Sequence, residues 1–153
     1  MPDAEVRRLA APYPRRIHLR SPRRPVTQRF LFDFDPRYLR ILRLLGVRPD
    51  NCWVEVGQDL EAHYGRWHTR TPVANITQVC VTGPYVPRRG VGPHLSLKDH
   101  GITFGTNARK GICSLFREPV TGIDPIGAIK HPGLTLTLAD IEGFAAAVGH
   151  PLG

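Results

Sequence analysis

The stretch that decides the fold is residues 52–71, CWVEVGQDLEAHYGRWHTRT. Gly65-Arg66, set between Tyr64 and Trp67, has the form of a two-residue hairpin loop with glycine first, the arrangement a type II′ turn prefers. That turn sets the register. Tyr64 lies opposite Trp67, His63 opposite His68, Ala62 opposite Thr69 and Glu61 opposite Arg70. Because side chains alternate faces along a strand, Leu60, Ala62, Tyr64 and Trp67 share an inward side, and Glu61, His63, His68 and Arg70 an outward one. The preceding strand follows if 57–59 form a three-residue loop, so that Val56, Val54 and Cys52 meet Leu60, Ala62 and Tyr64. A two-residue loop would oppose Glu55 to Leu60 and put charge on the core face. Two outward rows result: Trp53, His63 and His68, and beside it Glu55, Glu61 and Arg70.

Working outward, Phe30, Phe32 and Phe34 recur with the period of a strand burying one face. A helix is predicted next. Asp35 is a suitable N-cap, Pro36 fits the first helical position and Gly46 ends the run. Tyr38, Ile41, Leu42 and Leu45 form an apolar stripe for the core, and Arg37, Arg40 and Arg43 a basic face. Such a face also suits a membrane surface or an acidic partner. Further strands are expected over 76–82, 94–98, 102–106, 112–117 and 134–138. The 99–101 turn is expected to bring Leu97 and Leu95 onto Ile102 and Phe104. Residues 118–133, with three prolines, read as a long loop. Asp140 caps a final helix whose Ile141, Phe144, Ala145 and Val148 face inward before Gly149.

The charge is placed unevenly. Of 153 residues with a net charge of +8, residues 1–29 carry eight arginines against Asp3 and Glu5, while residues 30–153 are close to neutral. Five prolines among those arginines argue for an extended, flexible basic arm, residues 1–29, ahead of one β-rich domain, residues 30–153. The arm's candidate polyanion contacts are Arg7, Arg8, Arg15, Arg16, Arg20, Arg23, Arg24 and Arg29, toward nucleic acid or an anionic membrane surface. Its few apolar residues mean that lasting membrane attachment needs a second signal. A merely solvated extension is the alternative. No stretch has the roughly 18–20 apolar residues of a membrane span, and no secretory leader is recognised. We therefore expect a cytoplasmic protein in which Cys52, Cys80 and Cys113 stay reduced. Their spacing forms no CxxC pair, and Cys52 and Cys80 read as small buried hydrophobes in strands.

Catalytic signatures are missing from the sequence: it has no phosphate-binding loop, no nucleophile elbow, and its three serines, Ser21, Ser96 and Ser114, sit in no nucleophile motif. Seven histidines are the chemical resource. The facing imidazoles of His63 and His68 could share a metal, but the neighbours read from the strands are Trp53, Glu61 and Arg70, and a stable site needs three or four ligands. We expect no metal, no cofactor and no catalytic residue. Trp53, His63 and His68 are instead the candidate contact surface, an indole beside polar groups suiting a protein partner or a base.

The order of strands, the final helix and the run WVEVGQDLEAHYGRWHTRTPVANITQVCVTG, with its x-P-x-x-N-I turn, resemble a bacterial pleckstrin-homology-like domain. The segments FDFDPRYLRILRLLGVRP, VTGPY, HLSLKDHGITFGTN, FREPVTGIDP and HPGLTLTLAD resemble a family of uncharacterised actinobacterial proteins. The resemblance implies a mainly β (α+β) fold, a small barrel or sandwich of about seven to eight antiparallel strands with a C-terminal helix, plus an N-terminal strand and short helix. Fold alone implies no ligand. The expected function is a non-enzymatic binding or adaptor module whose arm contacts a polyanion and whose outer sheet face meets a protein partner. The alternatives are a small-molecule-binding protein or small enzyme using histidines in a barrel pocket, and a structural partner subunit that covers a sheet edge. The oligomeric state is left open.

Overall fold

The computed structural model describes residues 26–96, 100–124 and 126–153. Strands β1 (Gln28–Leu31), β2 (Cys52–Val56), β3 (Asp59–Tyr64) and β4 (Trp67–Pro72) form an antiparallel sheet in chain order. Its register is the expected one at every pair, from Cys52–Tyr64 to Val56–Leu60 and from Tyr64–Trp67 to Glu61–Arg70. Gly65 has φ +60°, as the turn requires, and a Cβ there would lie 2.8 Å from the Gly46 carbonyl oxygen. The hairpin tip therefore rests directly on the turn that ends the first helix.

The chain leaves this sheet through the Pro72–Asn75 corner. Asn75 clamps it, donating to the Thr71 hydroxyl and the Glu118 carbonyl and accepting from the Glu118 amide. Strands β5 (Ile76–Thr82), β6 (Val91–Leu95), β7 (Ile102–Thr106), β8 (Gly111–Thr121) and β9 (Lys130–Leu136) build a second sheet in the order β5-β8-β9-β7-β6. Apart from the antiparallel neighbours, β7 pairs with β9 in parallel, which an all-antiparallel fold does not contain. The fold is mainly β in two sheets with a C-terminal helix, and no closed barrel is found among the described residues.

Apolar faces of both sheets meet in one core. Tyr64 stacks on Phe104 with ring centroids 4.8 Å apart and planes 4° from parallel. At one margin the Phe32–Leu138 bridge and the bonds from the Asp33 amide to the Thr137 carbonyl and from the Ala139 amide to the Leu31 carbonyl tie the sheets together. At the other, the Thr69 hydroxyl donates to the Thr121 carbonyl. The last helix, α3 (Ile141–Ala147), closes the core as predicted: Asp140 accepts from the Gly143 amide, and Ile141, Phe144, Ala145 and Val148 are buried.

The structure differs from the sequence expectations at five places. The first is at the arm boundary, where Arg29 lies within β1 opposite Glu55. Second, the helix at 36–45 starts as a 3₁₀ turn, Pro36–Tyr38, and only Leu39–Leu44 is α-helical (α1). Asp35, held by Arg37 and Arg109, anchors that turn, so the inward stripe runs through Asp35, Tyr38, Leu39 and Leu42. Ile41, Leu44 and Leu45 point to solvent. Third, β8 and β9 extend into the expected 118–133 loop and pair Val120 with His131 and Thr121 with Lys130. Fourth, Leu95 meets Ile102 and Pro93 meets Phe104, a shift of two residues from the expected pairing; Leu97 is outside the described residues. Fifth, Cys80 is only half-buried and sits directly opposite Cys113, whereas Cys52 is buried as expected.

Candidate functional site

The outer face of the first sheet carries two parallel rows. Alternation along β1–β4 places Leu31, Trp53, His63 and His68 in one, and Arg29, Glu55, Glu61 and Arg70 in the other. In the charged row Glu55 faces Glu61 directly, a like-charge pairing that destabilises a sheet unless it is compensated. Arg29 binds Glu55, and Arg70 reaches Glu61 Oε1 at 3.4 Å while bonding Asp59 at 2.6 Å.

In the aromatic row Trp53 is half-buried rather than open. The Arg29 guanidinium sits 5.0 Å from its ring centroid, and His63 stacks on it at 4.6 Å with planes 22° apart. The Trp53 Nε1–H is buried and has no hydrogen-bond partner among the described residues. Trp67, expected inside, is partly buried, its ring 6.1 Å from that of Tyr64 and the Arg66 guanidinium over it at 4.7 Å.

His63 and His68 are in ring contact, centroids 4.5 Å apart. Glu61 Oε2 lies 3.7 Å from Nε2 of each imidazole. The Glu61–His68 contact is the diagonal one between neighbouring strands, within reach of long side chains. Burial first, and then the facing His68, hold the His63 imidazole below its ordinary pKa, against the pull of Glu61 and Glu55. Thus the structure brings His63 and His68 together with Glu61, which the sequence placed only in the neighbouring row.

Exposed apolar groups gather elsewhere, on α1. Ile41, Leu44 and Leu45 are 55%, 87% and 41% exposed, and their i, i+3, i+4 spacing makes them one helical face. Arg40 and Arg43 flank that face and have no ion-pair partner among the described residues. Arg66 sits at the same end of the molecule, beside the Gly65–Gly46 contact. The sequence supplied these residues but assigned Ile41 and Leu45 to the core.

A third feature lies on the outer face of the second sheet. His94, Thr103, Thr135, Cys113 and Cys80 form a polar row across all five strands. A cleft over it is lined also by Tyr85, Ser96 and Leu115.

Of the candidate arm contacts, Arg7, Arg8, Arg15, Arg16, Arg20, Arg23 and Arg24 lie outside the described residues. No helix among the described residues is long and apolar enough to cross a membrane. No protein-family model, no curated protein and no solved structure matches this chain.

Proposed function

We propose that this protein is a binding module that seats on an anionic membrane surface, with α1 entering the interface and the arginines of residues 1–29 adding long-range attraction. The carrying observation is the exposed Ile41–Leu44–Leu45 face between Arg40 and Arg43. Contiguous exposed apolar surface beside basic groups is what an interfacial helix needs. Electrostatics alone supply about 1 kcal/mol per basic residue near anionic lipid. An arm of arginines lacks an apolar anchor, and α1 is the second signal such attachment requires. The pleckstrin-like kinship belongs to the same proposal, supported by the four-strand meander and the terminal helix.

The test is sedimentation of the full chain with vesicles of phosphatidylcholine containing phosphatidylglycerol, against phosphatidylcholine alone and against duplex DNA. The expected result is selective binding to the anionic vesicles, weakened about tenfold or more by Ile41→Asp with Leu44→Asp. Anionic vesicle binding that is absent, or unchanged in that variant, overturns the reading. Binding only to DNA would transfer the arm to nucleic acid.

The cleft on the second sheet favours a second reading, a small-molecule site with Thr103, Thr135 and His94 as polar contacts. A small molecule retained through purification, and displaced by Thr135→Phe, would support it.

A further inference from the structure

We propose that Glu61, His63 and His68 form a binding site for a divalent transition-metal cation of the zinc type, with a water completing the coordination. One ligand atom from each residue lies within 4.8 Å of the others, and both imidazole Nε2 atoms are 3.7 Å from the same carboxylate oxygen. Around a tetrahedral zinc with bonds near 2.0–2.1 Å, neighbouring ligand atoms are about 3.4 Å apart, so small side-chain adjustments close the site. Two imidazoles and a carboxylate are a donor set that zinc accepts, and three protein ligands leave a fourth position open.

Two further features of the surroundings favour this use of the cluster. Glu61 is divided between two tasks: Oε1 is turned toward Arg70, itself anchored by Asp59, while Oε2 points between the imidazoles. An oriented carboxylate with one free oxygen is how ligands are commonly held from behind. The Trp53 ring stacked on His63 fixes the plane of that imidazole in the same way. In addition, Glu55 and Glu61 face each other across β2 and β3, and a cation at Glu61 Oε2 adds to the relief of that repulsion, since Arg29 binds Glu55 but Glu61 has only the 3.4 Å contact to Arg70. The site is half-open, with Glu61 and His63 side chains about one-third exposed and His68 at 47%. His68 also borders a cleft with Arg66, Trp67 and Asp124, which gives solvent access.

The experiment uses the untagged full-length protein. Zn²⁺ is titrated in competition with a chromophoric chelator, and Co²⁺ is added separately to read its visible absorption. The expected result is one equivalent bound, with Co²⁺ bands of four-coordinate intensity. His63→Asn with His68→Asn abolishes both signals, and His94→Asn, outside the cluster, leaves them unchanged. His68→Gln, at the most exposed position, keeps the fold and lowers affinity about tenfold or more. The absence of stoichiometric binding, octahedral Co²⁺ absorption alone, or binding that survives the loss of both histidines overturns the proposal. If the double variant fails to fold, undiminished binding by His68→Gln does the same.

Discussion

Replacing Tyr64 with phenylalanine isolates one polar bridge between the two sheets. The Tyr64 side chain is fully buried and its hydroxyl donates to the Gly105 carbonyl. Gly105 lies in β7 of the second sheet, so this single bond joins β3 to β7. Burial pushes the phenol pKa far up, which keeps it a neutral donor at every working pH. Phenylalanine preserves the stacking on Phe104 and on the tilted Phe32 ring but takes the hydroxyl donor away from the Gly105 carbonyl. A buried group left unsatisfied costs about 1–3 kcal/mol, and we expect a loss of roughly 2 kcal/mol. With a urea m value of about 1.5 kcal/mol/M for a domain of this size, the unfolding midpoint falls by about 1.3 M. Urea unfolding followed by fluorescence, beside a near-ultraviolet circular dichroism spectrum that confirms intact packing, makes the measurement. A midpoint within about 0.3 M of the parent protein would refute the bridge as a stabilising element.

Two further predictions concern stability. The Arg37 side chain, then its backbone amide, and the Arg109 charge hold the Asp35 carboxyl at about 2 in place of 3.8, against burial. A carboxyl lowered on folding contributes stability above the unfolded pKa and loses it as pH falls through the folded one. Asp35→Asn, which keeps the cap, therefore destabilises most above about pH 4, and its thermal midpoint converges with the parent's as pH falls to about 2. A gap between the two that stays constant over that range would sink the assignment. Gly65→Ala meets both a positive φ and the Gly46 carbonyl at 2.8 Å, so we expect a loss of about 2 kcal/mol or more in urea unfolding, with a neutral outcome counting against the turn–helix contact.

How much of this architecture could be read from residues alone depends on how local the determining interaction is. The β2–β3–β4 register was legible because a two-residue turn with glycine first and period-two alternation act on the same few residues and agree. The final helix was legible for a similar reason, since Asp140 and the four apolar positions after it need only one another and a sheet to cover. The first helix was not, because the Asp35 at its start is held from far along the chain as well as locally: its amide donates to the Thr106 carbonyl and its carboxylate accepts from Arg109, 74 residues away, besides the bonds from Arg37. Two stripes sharing Tyr38 and Leu42 were available in the same sequence, and the structure buries the one that adds Asp35 and Leu39 in place of Ile41 and Leu45. Strand pairing in the second sheet was equally hidden. The parallel β7–β9 contact and the extension of β8 to Thr121 join segments with no turn between them to set the register.

The candidate sites divide along the same line. Facing imidazoles follow from the hairpin, and the sequence places His63 against His68 without aid. Glu61 joining them does not follow, because in the pleat it is Arg70's opposite number. Its first oxygen contacts Arg70, which lies closer to Asp59 than to Glu61, and its second lies 3.7 Å from both imidazoles. The α1 surface emerged from the opposite situation, a local pattern overruled by tertiary packing, which left Ile41 and Leu45 outside the core their spacing predicts, beside the exposed Leu44. Both surfaces meet at the β3–β4 hairpin: its strands hold the imidazoles and its Gly65 turn carries the end of α1. A cation pinning His63 to His68 would stiffen the support under α1 with no contact to the helix itself, whereas the helix face needs no metal to present its leucines. Vesicle binding by metal-free protein and metal binding by Ile41→Asp with Leu44→Asp are therefore separable readouts, and either reading can fail while the other stands.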